Sequence, residues 1–179
     1  MAAAALLALA VVAAAQARQD DPRLDPLFER LLATAEFSEA QRIESSIWSI
    51  WIESGEVSLD ALMIRGIVEM NTRDFDAALA SFDAIVEAAP DFAEGWNKRA
   101  TLFYLMERYD DSIRDVERTL ALEPRHFGAL SGMGLISVAL GDEAIALDWF
   151  EQALAVNPHM PFIKLRARSL SEKLRGKAI

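Results

Sequence analysis

The sequence has no cysteine, only two histidines and fewer bases than acids, with 18 Lys+Arg against 28 Asp+Glu in 179 residues. Without cysteine there is no disulfide, thiolate nucleophile, thiolate-held zinc or acylated lipoprotein anchor. His126 and His159 belong to no His-x-x-x-His or Glu-x-x-His pair, so no metal-ligand spacing is offered. Both are expected on the surfaces of turns. A net charge of −10 speaks against a nucleic-acid partner, because phosphates need a positive surface. Gly128, Gly132 and Gly134 lie close together, but no strand pattern precedes them, so they do not read as a phosphate loop. No Gly-x-Ser-x-Gly occurs either. The acidic pairs Asp74/Asp76, Asp110/Asp111 and Asp142/Glu143 recur at one place, just before a helix, where capping explains them. These absences point away from an enzyme, and neither a cofactor nor a metal is expected.

Long apolar runs are scarce as well. The 53% hydrophobic content rules out a disordered chain, and 26% charged residues rule out a multi-span membrane protein. One run stands out, Ala2 to Ala15, inside an uncharged stretch of residues 1–17 that ends in Ala15-Gln16-Ala17. It is short for a membrane span and suits the core of an export signal, although no Lys or Arg precedes it. Residues 1–17 are therefore expected to be removed after Ala17, with the remainder in the periplasm. Retention of the run as a membrane anchor is the alternative.

What is present is a period. Pro90, Pro124 and Pro158 are spaced by 34 and 34 residues. On that ruler Leu62, Trp96 and Leu130 align, as do Gly66, Ala100 and Gly134. Ala78, Ser112 and Ala146 also match, and so do Phe82, Val116 and Phe150. Each column keeps a size class. Within one period Trp96, Ala100 and Phe103 form a helical stripe, Arg108 to Asp111 interrupt it, and Ile113, Val116 and Leu120 resume it before Pro124. Such a helical hairpin cannot bury its apolar face alone, so successive hairpins must stack.

These columns resemble the tetratricopeptide repeat. Three repeats fit without gaps, at residues 59–92, 93–126 and 127–160. Residues 18–58 read as a linker and a degenerate N-terminal capping hairpin, with an independent helical hairpin docked on the first repeat as the alternative. There Leu32 and Glu44 occupy small-residue columns, Asp25-Pro26 suits one helix start, and Ser38 to Gln41 reads as a capping box for another. Residues 161–179 read as a capping helix with a charge of +5, against −15 for the rest of the chain. Its basic face offers a possible contact with anionic lipid. The resemblance implies an all-α, right-handed superhelical solenoid of antiparallel helix pairs, with about four hairpins plus the C-terminal helix.

The resemblance also implies a concave groove lined by the first helix of each hairpin. Projected here, that groove takes Met63, Ile67 and Met70 from one repeat, Asn97, Thr101 and Tyr104 from the next, and Ser131, Leu135 and Val138 from the third. Known carboxylate-gripping members of the family place Lys, Asn and Arg in these columns; only Asn97 fits that pattern. The implied function is a non-enzymatic scaffold or adaptor that holds a protein partner, an amphipathic helix or apolar peptide. A membrane-associated assembly factor or chaperone for envelope proteins is the alternative. The groove is apolar enough to be filled instead by the chain's own terminal helices or by a second copy.

Overall fold

The computed structural model describes residues 21–177. The expected export signal at residues 1–17 lies outside the described residues. Among these there are nine helices and no strand: α1 (Leu24–Ala33), α2 (Phe37–Ile52), α3 (Val57–Asn71), α4 (Phe75–Ala88), α5 (Ala93–Leu105), α6 (Tyr109–Leu122), α7 (Phe127–Leu140), α8 (Glu143–Val156) and α9 (Pro161–Lys177).

The 34-residue ruler becomes three packed hairpins, α3–α4, α5–α6 and α7–α8. Complementary volumes bring their helices together. A Cβ added at Gly66 would lie 2.6 Å from the Phe82 ring, and one at Gly134 would lie 2.4 Å from the Phe150 ring. In the middle hairpin the ring is replaced by Val116, and the small residue grows to Ala100, whose carbonyl accepts the Ser112 hydroxyl at 2.7 Å. Where one side of the column enlarges, the other shrinks, as close packing requires.

The turn inside each hairpin repeats too. Arg73, Glu107 and Gly141 are 34 residues apart and all adopt left-handed backbone, with φ of 64°, 58° and 88°. At Arg73 and Glu107 the Cβ makes this conformation unfavourable by roughly 1–2 kcal/mol, so the hairpin geometry overrides local preference. Each second helix ends as expected at its closing proline, where Ala89, Glu123 and Asn157 donate to the carbonyls of Ile85, Thr119 and Ala153. Some helix starts depart from expectation. α1 begins at Leu24, so Asp25 sits in its first turn. α2 begins at Phe37, and Glu39 accepts from the Thr34 hydroxyl at 2.8 Å and from Arg30 at 2.9 Å instead of completing a capping box.

Successive hairpins are tied by charge as well as by burial. Arg99 on α5 donates to both Asp115 oxygens at 2.7 and 2.9 Å and to Asp83 on α4 at 2.7 Å. The first helices form an inner layer in which α3 touches α5 and α5 touches α7. At the far end α9 occupies the place of the first helix of a further hairpin, burying Ile163, Ala167 and Leu170 against the α7–α8 hairpin.

The N-terminal hairpin does not extend this stack. If it did, the outer face of α3 would be covered; instead Val57, Ile64 and Val68 are 86%, 64% and 55% exposed. α1 and α2 lie across the inner layer, in one core cluster with Phe127 at the start of α7, and with Val156 and Met160 beside it.

Candidate groove for a protein partner

The inner faces of α5 and α7 are where α2 docks. Its apolar stripe of Ala40, Ile43, Ile47, Ile50 and Trp51 is buried. Trp51 stacks on His126, with ring centroids 4.2 Å apart and planes 11° from parallel. Trp48 meets His126 and Phe127 edge-on, and the Lys98 ammonium sits over its ring at 5.2 Å. α1 braces the same region. Asp25 accepts from Arg125 at 2.7 Å, the Arg125 guanidinium covers Phe28, and the Leu31 carbonyl accepts from His159 Nε2 at 3.1 Å.

Under this lid lies a buried polar cluster that sequence reasoning missed. His126 is fully buried, not on a turn surface as expected. Its Nδ1 accepts the Ala129 N–H at 3.1 Å and so caps α7. That role fixes the tautomer, leaving Nε2–H to donate to Glu94 Oε2 at 2.9 Å. Glu94 also accepts from Asn97 Nδ2 at 2.9 Å and faces the Lys98 ammonium at 2.9 Å. Burial pushes the Glu94 carboxyl up, but Lys98 and His126 outweigh it and hold the group below the ordinary glutamate range. The cluster lies beneath two tryptophans; Glu94 Oε1 has the Lys98 ion pair but no hydrogen bond, and the buried Trp51 indole N–H has no acceptor among the described residues. His159, also expected on a turn surface, is half-buried against α1.

The lid covers only half of the inner layer, and this divides the projected groove residues. Met63, Asn97 and Ser131 are buried, 1%, 6% and 8% exposed, Met63 within the α3–α4 core. Ile67 and Met70 are half-buried against the α3–α4 core, and Val138 packs against the α8–α9 core. Asn97, Thr101, Tyr104, Ser131 and Leu135 are brought together around a cavity of about 140 Å³ between α5 and α7. Gly128 and Gly132 complete its wall. A cavity of roughly 150 Å³ accommodates a benzene-sized group, so this one suits a single large apolar side chain. Ser131 and Leu135 also line a second cleft, bounded by Phe37 of α2 and Phe162 of α9. The two share Ser131 and Leu135 of α7. Phe37 and Phe162 were not legible as groove residues, since neither lies in the three repeats.

Neither cavity lining includes Lys or Arg among the described residues. An anionic group entering the groove would find no cation there. Among the described residues, no three His, Cys, Asp or Glu side chains come together as metal ligands.

Known proteins share this architecture. A family model described as tetratricopeptide repeat matches residues 52–91, 65–105 and 97–161. A TPR repeat-containing protein of Rhizobium etli is 36% identical over 154 residues, spanning 86% of this chain and 76% of its own length. Among solved structures, the Sgt2 TPR domain from Aspergillus fumigatus has a TM-score of 0.64 at 18% identity, covering 69% of this chain and 83% of that domain. The first TPR of Spaghetti (RPAP3), bound to the HSP90 peptide SRMEEVD, has a TM-score of 0.62 at 20% identity, covering 65% of this chain and 93% of that one. With the 34-residue columns, the paired helices and these matches together, the chain belongs to the tetratricopeptide repeat family.

Proposed function

We propose that the protein is a non-catalytic scaffold or adaptor that holds an apolar segment of a partner protein in the uncovered half of its inner groove. One observation carries this reading: Gly132. A Cβ added there meets nothing within 4 Å. Glycine inside a helix costs about 1 kcal/mol relative to alanine, and no neighbour in the fold needs the space. A partner side chain entering the 140 Å³ cavity explains it. α2 supports the chemistry, because the other half of the same surface already receives an amphipathic helix through its tryptophans and isoleucines. The RPAP3 domain holds a peptide ending in acidic residues; here the absence of lining cations favours an uncharged, apolar segment.

The reading places the protein in the periplasm, on the strength of the apolar run and Ala15-Gln16-Ala17 in the sequence. Protein recovered from its native envelope has a mass starting at Arg18. An intact mass including Met1 contradicts export with cleavage and favours the membrane-anchored assembly factor.

The groove is tested by crosslinking in the native envelope. Gly132→Leu fills the cavity and abolishes the crosslinked partner, while Gly132→Ala retains it. Undiminished crosslinking with Gly132→Leu in a folded protein rejects the site. Leu135→Asp is a poorer probe, because Leu135 also packs against the α8–α9 core.

A further inference from the structure

The end of the solenoid carries an exposed surface of which the groove accounts only for Phe162. α9 stands where a further hairpin would begin, yet its columns forbid a second helix. The position that is Gly66, Ala100 and Gly134 in the three repeats is Arg168, and the position of Leu62, Trp96 and Leu130 is Lys164. Charged side chains thus end the stack. A cap made only for solubility would be polar throughout its outward face. Here Phe162 and Leu165 remain 54% and 67% exposed. Lys164 and Arg166 flank them and have no carboxylate partner among the described residues, and the Arg166 guanidinium lies over the Phe162 ring at 4.9 Å. Arg168 pairs with Glu172 within the helix, and Lys173 pairs with Glu143 of α8. The segment as a whole is +5 on a chain whose remainder is −15.

We propose that α9 is a reversible docking helix for an anionic lipid surface. Phe162 and Leu165 enter the boundary between headgroups and acyl chains, and Lys164 and Arg166 meet lipid phosphates. The same field orients the molecule, since the −15 body is repelled from the surface that attracts α9. An acidic protein would satisfy the cations but leaves the exposed Phe and Leu without purpose; the interface of a bilayer takes both. Phe162 also bounds the second cleft, whereas Lys164, Leu165 and Arg166 lie outside both cavity linings and carry the proposal apart from the groove.

Co-sedimentation of the full chain with vesicles tests it. Vesicles of mixed phosphatidylglycerol and phosphatidylcholine are compared with phosphatidylcholine alone, so that any partition of the shared N-terminal apolar run appears in both. The anionic vesicles bind the protein more tightly, and the difference falls with salt. Phe162→Ser with Leu165→Ser weakens the anionic binding about tenfold, as does Lys164→Gln with Arg166→Gln. All four positions are exposed, and unchanged circular dichroism and melting confirm that these variants fold. Equal binding to both vesicle types overturns the proposal, as does wild-type binding by either double variant. Sedimentation equilibrium provides a further arm: a dimer that Leu165→Ser converts to monomer makes this face a contact between copies and overturns the lipid assignment.

Discussion

Gly128 and Gly132 sit one turn apart on α7, and a single added methyl group distinguishes two halves of the inner groove. At Gly128 that methyl would lie 2.7 Å from Trp48 of α2; at Gly132 it meets nothing within 4 Å. The first glycine makes room for the chain's own helix, and the second faces the open cavity. The closed half is a core, with stacked aromatics over a buried His126–Glu94 pair. The open half keeps a side-chain-sized cavity lined by Thr101, Tyr104, Ser131 and Leu135. One inner layer thus serves folding at the N-terminal ends of α5 and α7 and, in the proposed function, recognition farther along.

Breaking the closed half has the largest effect. Trp51→Ala removes a side chain that is 2% exposed, and urea denaturation should show a loss of about 3–5 kcal/mol. A loss below about 1 kcal/mol would mean that α2 is not part of the core. Gly128→Val drives its branched side chain into Trp48 and costs about 1–3 kcal/mol by the same assay. Glu94→Gln sharpens the comparison through pH. The Glu94 carboxyl is held below its ordinary range, so its ionised form adds stability above the unfolded-state pKa and loses it as pH falls through the lower folded value. Melting curves of wild type and Glu94→Gln therefore differ near neutrality and converge in acid; a constant gap across pH contradicts the pairing. Smallest and opposite in sign is Gly132→Ala, which raises stability by about 0.5–1 kcal/mol, since helix propensity improves and no contact is disturbed. A destabilised Gly132→Ala would show that the open half is packed.

The repeating part of the molecule was readable because each period buries itself against its neighbours. Gly66 against Phe82 and Ala100 against Val116 are visible as compensating columns before any coordinates are seen. The N-terminal hairpin was not readable in the same way. Counting back by 34 puts Phe28 on the column of Leu62 and Trp48 on that of Phe82, which describes their size but not their partners. Those partners, His126 and Phe127, are about 75 residues downstream of Trp51, and a nearest-neighbour period carries no information about them. Leu32 and Glu44 in small-residue columns, and Glu56 where a closing proline belongs, are the warnings, since a true repeat needs close approach and a proline stop there. His126 was misplaced for the same reason: it follows a closing proline in a turn, and only the arrival of α2 buries it. The groove residues were legible as columns, but which of them stay uncovered depended on that long-range docking. Thr101 and Leu135 line the uncovered cavity, whereas Met63 is buried in the α3–α4 core.

A double-mutant cycle between α2 and α7 tests the half-closed groove most directly. Gly128→Ala and Trp48→Ala are made singly and together, and their unfolding free energies are compared. With α2 seated on α7, Gly128→Ala is unfavourable beside Trp48 but favourable once that ring is gone, giving a coupling of about 1 kcal/mol or more. Gly132→Ala combined with Trp48→Ala shows no such coupling. Additive energies at Gly128 would contradict the account, because they would mean that α2 does not occupy the groove.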